Sequence, residues 1–150
     1  MRAPLPTNER DRLDVLETLD LAAMTHDERL EEIVGLAADL CHAPMAALTI
    51  VESGRQWVLA GRDLPLAEIP RHESICAHAI LSEQVMVVDD TVADARFFDL
   101  PLVVDHGVRS YAGAPLISAE GLAVGTIAVF DRVPRQFETF QTKMLQILAR

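Results

Sequence analysis

The stretch VRSYAGAPLISAEGLAVGTIAVFD, residues 108–131, decides the fold, because it reads as two long strands joined by a short turn. Val108, Ser110, Ala112, Ala114 and Leu116 alternate with Arg109, Tyr111, Gly113, Pro115 and Ile117. A period of two puts a small-residue row on one face and Arg109 with Tyr111 on the other. Glu120-Gly121 makes the turn, where glycine takes the positive φ that other residues resist. Leu122 to Phe130 is apolar on both sides, which places that strand in the middle of a sheet, covered above and below.

The totals set the frame for this hairpin. A chain of 150 residues is one domain's worth, long enough to bury roughly two-thirds of its unfolded surface. Half the residues are hydrophobic and 24% are charged, ordinary for a soluble globular domain. A formal net charge of -10 repels phosphate backbones and anionic membranes, so neither nucleic acid nor membrane is expected as a partner. The opening MRAPLPTNERDR has no apolar stretch for a signal peptide, and no run approaches the roughly 18 apolar residues of a spanning helix. The expected location is the cytoplasm. Cys41 and Cys76 fall in different elements without metal-type spacing, and a reducing compartment argues against a disulfide between them.

Taken in order, residues 1–8 with Pro4 and Pro6 read as a flexible lead-in, and residues 9–150 as the domain. A helix is expected over about Glu9 to Asp20, where Leu13, Leu16 and Leu19 form a narrow apolar stripe suited to a partner helix. Thr25-His26-Asp27-Glu28 fits a capping box for a second helix, about His26 to His42. That helix places Cys41 on its apolar face as a buried small hydrophobe. Met45 to Val51 reads as a central strand and Ser53-Gly54 as a hairpin turn into Arg55 to Ala60. Trp57 shares a face with Leu59 and is read as packing rather than as a ligand platform. Prolines 65 and 70 mark a loop over Gly61 to His72, and Ser74 caps a short helix from Ile75 to Leu81. Val85 to Val88 is a short strand broken by Asp89-Asp90-Thr91. Phe137, Phe140, Met144, Ile147 and Leu148 follow spacings of three and four on a last helix. No Gly or Pro ends that pattern, which predicts a helix continuing beyond Arg150 into an output domain.

YAGAPL, a glycine turn, VGTIAVFD and PRQF together resemble the end of a bacterial GAF domain. SICAHAI at Ser74 to Ile80, VVDDTVADARFFDLPLV at Val87 to Val103 and QWVLAGRDLP at Gln56 to Pro65 extend the likeness over nearly the whole chain, from about Arg12 onward. The resemblance implies an α+β fold: a central antiparallel sheet of five to six strands, terminal helices on one face, and ligand-pocket helices and loops on the other. It implies a non-enzymatic sensory module of a signalling protein, of the sensor histidine kinase or cyclic-di-GMP enzyme type. Such a module binds an unidentified small molecule, forms a homodimer through its terminal helices and controls a covalently attached output domain. Leu13, Leu16, Phe140, Met144 and Ile147 are the expected dimer interface. Cys76, Ile80, Asp89, Asp90, Arg96, Phe97, Arg109 and Tyr111 are the expected pocket.

Within that pocket several chemistries compete. His72, Cys76 and His78 make an H-x-x-x-C-x-H string, but on a helix Cys76 and His78 diverge by roughly 200°, so no metal is expected. Covalent bilin attachment in GAF domains uses a cysteine followed directly by histidine, and here Ala77 intervenes. The Asn-Lys and Phe-x-x-x-Asp-Glu elements of cyclic-nucleotide-binding GAF domains are missing. No catalytic residue and no particular cofactor is indicated. The rival reading is a small thiol enzyme resembling the free methionine sulfoxide reductases, for which Cys76 lacks a resolving partner. A third reading is a dimerisation scaffold with a filled cavity. For the sensor, Arg109 and Arg96 offer planar forks to an anionic ligand, or else pair with Asp89, Asp90 or Asp94.

Overall fold

Alternation along one central strand accounts for the layering. In the computed structural model, which describes residues 1–25 and 27–149, strand β1 (Met45–Val51) is buried at every position. Ala46, Leu48 and Ile50 enter one core, while Met45, Ala47 and Val51 enter another. The remaining strands are β2 (Arg55–Arg62), β3 (Glu68–Pro70), β4 (Met86–Val88), β5 (Ser110–Ile117) and β6 (Ala123–Asp131). They form one antiparallel sheet in the order β3-β2-β1-β6-β5-β4. The hairpin expected over residues 108–131 is β5–β6, turned at Gly121 with φ of 82°.

Three helices, α1 (Glu9–Thr18), α3 (Glu28–Leu40) and α6 (Thr139–Leu148), cover one face. Their Leu16, Val34, Ala37, Ala38 and Leu145 join that core, and so does Cys41. A single turn, α2 (Leu21–Met24), links α1 to α3. The opposite face carries two short helices, α4 (Cys76–Ala79) and α5 (Pro101–Val104), with the loops around them. Two bulges keep both faces apolar. Leu59 is an extra residue between the pairs Leu48–Ala60 and Thr49–Val58, and Val124 is extra between Leu116–Gly125 and Ile117–Ala123. Beyond each extra residue the side chains exchange faces.

Several expectations change at this level. Thr25 does not cap α3: Asp27 does, its carboxylate accepting from Arg29 N–H at 2.8 Å. Thr25 instead ends α2, with its hydroxyl donating to the Leu21 carbonyl at 3.1 Å; His26 lies outside the described residues. The loop after β2 contains strand β3, three residues long and at the sheet edge, where Pro70 is tolerated. Residues 1–3 are anchored rather than loose, since His78 Nε2 donates to the Met1 carbonyl at 2.9 Å and Ala3 packs on the second core. Val108 turns into the second core, because regular alternation starts only at Ser110.

The terminal helices also differ from their sequence stripes. Leu16 is buried within the chain's own core and is not available to a partner. On α6 the buried face is Gln141, Leu145 and Ala149, which leaves Phe140 and Ile147 57% and 51% exposed. What seats α1 is a charge cluster that helical periodicity does not show. Arg12, fully buried, donates to the Val51 carbonyl at 2.5 Å and to both carboxylate oxygens of Glu9 at 2.9 and 3.0 Å. Arg71 holds the same carboxylate from the other side and donates to the Glu52 carbonyl at 3.0 Å. Burial alone raises the Glu9 pKa, but hydrogen bonds from Arg71 and Arg12 outweigh it and bring the carboxyl down to about 2.

Candidate functional site

The face opposite the terminal helices is built around Cys76. Ser74 Oγ accepts from Ala77 N–H at 3.0 Å and so starts α4, which lowers Cys76 onto the sheet. There Tyr111 and Thr126 each donate a hydroxyl hydrogen bond to its Sγ at 3.2 Å, and Thr126 meets Thr49 across the strands at 2.8 Å. All four residues are buried completely. Tyr111 reaches the thiol by folding its ring along its own strand over Gly113, where a Cβ would lie 2.1 Å from the tyrosine hydroxyl. Phe130, its cross-strand neighbour, meets the ring edge-on at 5.3 Å.

Burial pushes the Cys76 thiol up in spite of its two hydrogen bonds, and pushes Tyr111 up as well. A protonated, enclosed thiol is a poor nucleophile. Cys41 lies on the other side of the sheet, in the helix-side core, so no second thiol reaches Cys76 to resolve an oxidised sulfur. The two cysteines are expected to be silent toward DTNB in the native protein over minutes and to titrate fully in guanidinium. Fast reaction of one thiol under native conditions would contradict their burial.

The sequence-predicted pocket residues do not converge on one space: Ile80 borders an open groove with Leu5–Asn8 and Leu81–Glu83, and the others make local contacts. Arg96 is held by Asp94 at 2.8 Å, with its guanidinium 4.6 Å from the Phe97 ring centroid. Arg109 is held by Asp90 at 3.1 Å, both side chains partly exposed. Each arginine has an acidic residue close at hand, and the local pair forms in place of an inward reach. These contacts hold the Asp94 carboxyl below its ordinary range, and at Asp90 they outweigh a burial effect of opposite sign. Asp89 is exposed. Phe97 and Ile80 are core residues packed beneath the short helices and loops that roof this face of the sheet. His78 turns from Cys76 toward Met1 and meets Phe97 edge-on at 4.9 Å, with burial lowering its pKa. His72 is exposed. Among the described residues no group of three or more His, Cys, Asp or Glu side chains converges as a metal site.

A more enclosed space on this face lies toward β2. It is a cavity of about 20 Å³ between β1, β2, the Leu64–Leu66 loop, α5 and Phe130. Its wall is apolar except for Thr49 and Gln56. Gln56 could have been found from sequence as the one polar residue facing away from Trp57 and Leu59 on a buried strand. Trp57 itself packs at the helix-side core.

The architecture is one antiparallel sheet with three helices on one face and, on the other, short helices and loops roofing a small chamber. The chain belongs to the GAF domain family, whose profile matches residues 25–150. A cyclic di-GMP phosphodiesterase from Pseudomonas aeruginosa is 41% identical over 133 residues, 88% of this chain. The chain spans only 23% of that relative's length. Among solved structures, a domain of a two-component sensor histidine kinase protein from Sinorhizobium meliloti aligns with TM-score 0.65 at 21% identity, covering 84% of this chain and 86% of that one. A type II free methionine-R-sulfoxide reductase from Thermoplasma acidophilum aligns with TM-score 0.66 at 15% identity, over 82% and 86% of the two chains. At these identities the structural likeness concerns the fold alone. No helix among the described residues is long and apolar enough to cross a membrane.

Proposed function

We propose that this GAF domain is a non-enzymatic cytoplasmic sensor that binds a small molecule under its roof and, as a homodimer, biases an attached output domain. The observation that carries this reading is that chamber and helices share the same strands. Alternation on β1 sends Thr49 to the cavity wall, while its neighbours Leu48 and Ile50 enter the helix-side core. A ligand that alters the spacing of β1 and β2 therefore moves the seat of α1, α3 and α6. The shift it can produce is limited by its differential affinity for the two arrangements. Cys76 and Tyr111 brace the chamber in this scheme, and Arg96 and Arg109 pin the segment that carries Asp90 and Asp94. The Pseudomonas relative favours an output that acts on cyclic di-GMP over a histidine kinase.

The dimer is proposed to use the outward face of α6, Phe140, Met144 and Ile147, together with Leu13 of α1. Ile147→Asp and Phe140→Asp are each expected to give a monomer by sedimentation with thermal stability nearly unchanged, because neither side chain contributes much to the chain's own core. A variant that stays dimeric would remove this face from the interface.

Native mass spectrometry tests the sensor reading directly. A dimer with added mass that is lost on denaturation supports it. The small volume of the chamber favours a second reading, a scaffold whose cavity is filled by its own side chains. A dimer of bare mass from every expression condition would establish that scaffold instead.

A further inference from the structure

Gln56 is more than nine-tenths buried, and only half of its amide is satisfied. Its Oε1 accepts from the Ser74 hydroxyl, the orientation that lets Ser74 donate there while accepting from Ala77 N–H. Among the described residues no acceptor meets its Nε2, and the side chain lines the cavity. Two amide protons are thus offered to whatever fills that space. Thr49, the other polar group on the wall, is already engaged with Thr126. The rest of the wall is hydrocarbon, thioether and the Phe130 ring, with no charged side chain.

We propose that the cavity takes a small uncharged molecule with an apolar body and a single carbonyl-type acceptor, oriented by Gln56 Nε2. This rests on the sensor reading and specifies its ligand. Charge is excluded because an ion on this wall would lose its hydration with no counter-charge to replace it, Arg96 and Arg109 being tied to Asp94 and Asp90. Size is bounded too. About 20 Å³ holds one water, so a larger guest enters by displacing the Leu64–Leu66 loop, whose Leu66 is 36% exposed. The guest gains an oriented hydrogen bond from Gln56 and buried hydrocarbon against an apolar wall.

The test is a methyl NMR titration of the whole chain, following Val58, Leu64, Leu66, Leu102 and Val108, with cyclopentanone, cyclopentane and cyclopentanecarboxylate as probes. Cyclopentanone is expected to shift these methyls saturably, about tenfold more tightly than either of the others. Gln56→Leu is expected to remove that tenfold preference over cyclopentane while leaving cyclopentane binding in place. Selectivity in the unmodified protein decides the matter even if the variant does not fold. Equal or tighter binding of the carboxylate overturns the inference but leaves a ligand-binding chamber, and with it the sensor reading. An undiminished ketone preference in Gln56→Leu has the same effect. If no probe gives a saturable shift the inference falls, and the native mass spectrum decides the sensor reading separately.

Discussion

Glu9→Ala is expected to lower folding stability by about 3–5 kcal/mol, the cost of leaving buried charge uncompensated. The carboxylate is the only acidic group hydrogen-bonded to Arg12 and Arg71 among the described residues, and both guanidiniums are nearly or wholly buried. Without it two like charges face each other away from water. Arg12→Met is expected to cost distinctly less, because it removes a charge at similar volume and leaves Glu9 paired with Arg71. Chemical denaturation of both variants checks this order, and an equal or smaller loss in Glu9→Ala would show that the cluster is not held by its charge balance. The same carboxylate predicts acid sensitivity. Its folded pKa lies below its unfolded value, so its stabilisation is complete above about 4.5 and is lost as pH falls toward about 2. Glu9→Gln is expected to flatten the stability profile in that window.

Gly125→Ala is expected to be comparably severe, about 3 kcal/mol or more. Gly125 faces Ile50 in register, and a Cβ there would lie 1.8 Å from the Thr49 carbonyl oxygen and 3.1 Å from the Ile50 Cα. Backbone atoms cannot rotate aside as a side chain can. The central strands would have to separate beside the Thr49–Thr126 pair. Gly54→Ala is the control: nothing lies within 4 Å of the added atom, so the change is expected to stay within about 0.5 kcal/mol. Thermal unfolding of the pair measures the contrast. A Gly125→Ala protein as stable as its parent would mean that β1 and β6 do not approach this closely.

Much of the architecture was legible because it is local. The alternation of Ala112 and Ala114 with Tyr111 and Gly113 identified β5, the two-sided apolarity of residues 122–130 identified the mid-sheet strand β6, and the Ser74 hydroxyl identified the start of α4. Short elements escaped. Strand β3 has three residues ending in Pro70, too few to establish a period, and α2 is a single turn whose Thr25 resembles the cap of the next helix. The candidate site was legible only in part. Tyr111 and Cys76 come together as neighbours on the roofed face, but the arginines read as ligand forks are claimed by adjacent aspartates, and the cavity opens at Gln56 instead.

The sequence by itself determined the strands with two buried faces and the amphipathic helices, since these follow from periods of two and of three to four along contiguous residues; the family and the placement of the terminal helices on one side came with the motifs that resemble GAF domains. Only the tertiary structure decided which charges are neutralised, which apolar stripe stays uncovered and where empty space remains. Glu9 and Arg71 are 62 residues apart in the chain, and Leu16 and Phe140 carry the same apolar pattern yet one is buried and the other exposed. Pairing, burial and leftover volume depend on which side chains of distant segments meet, and on how completely they fill the space between them.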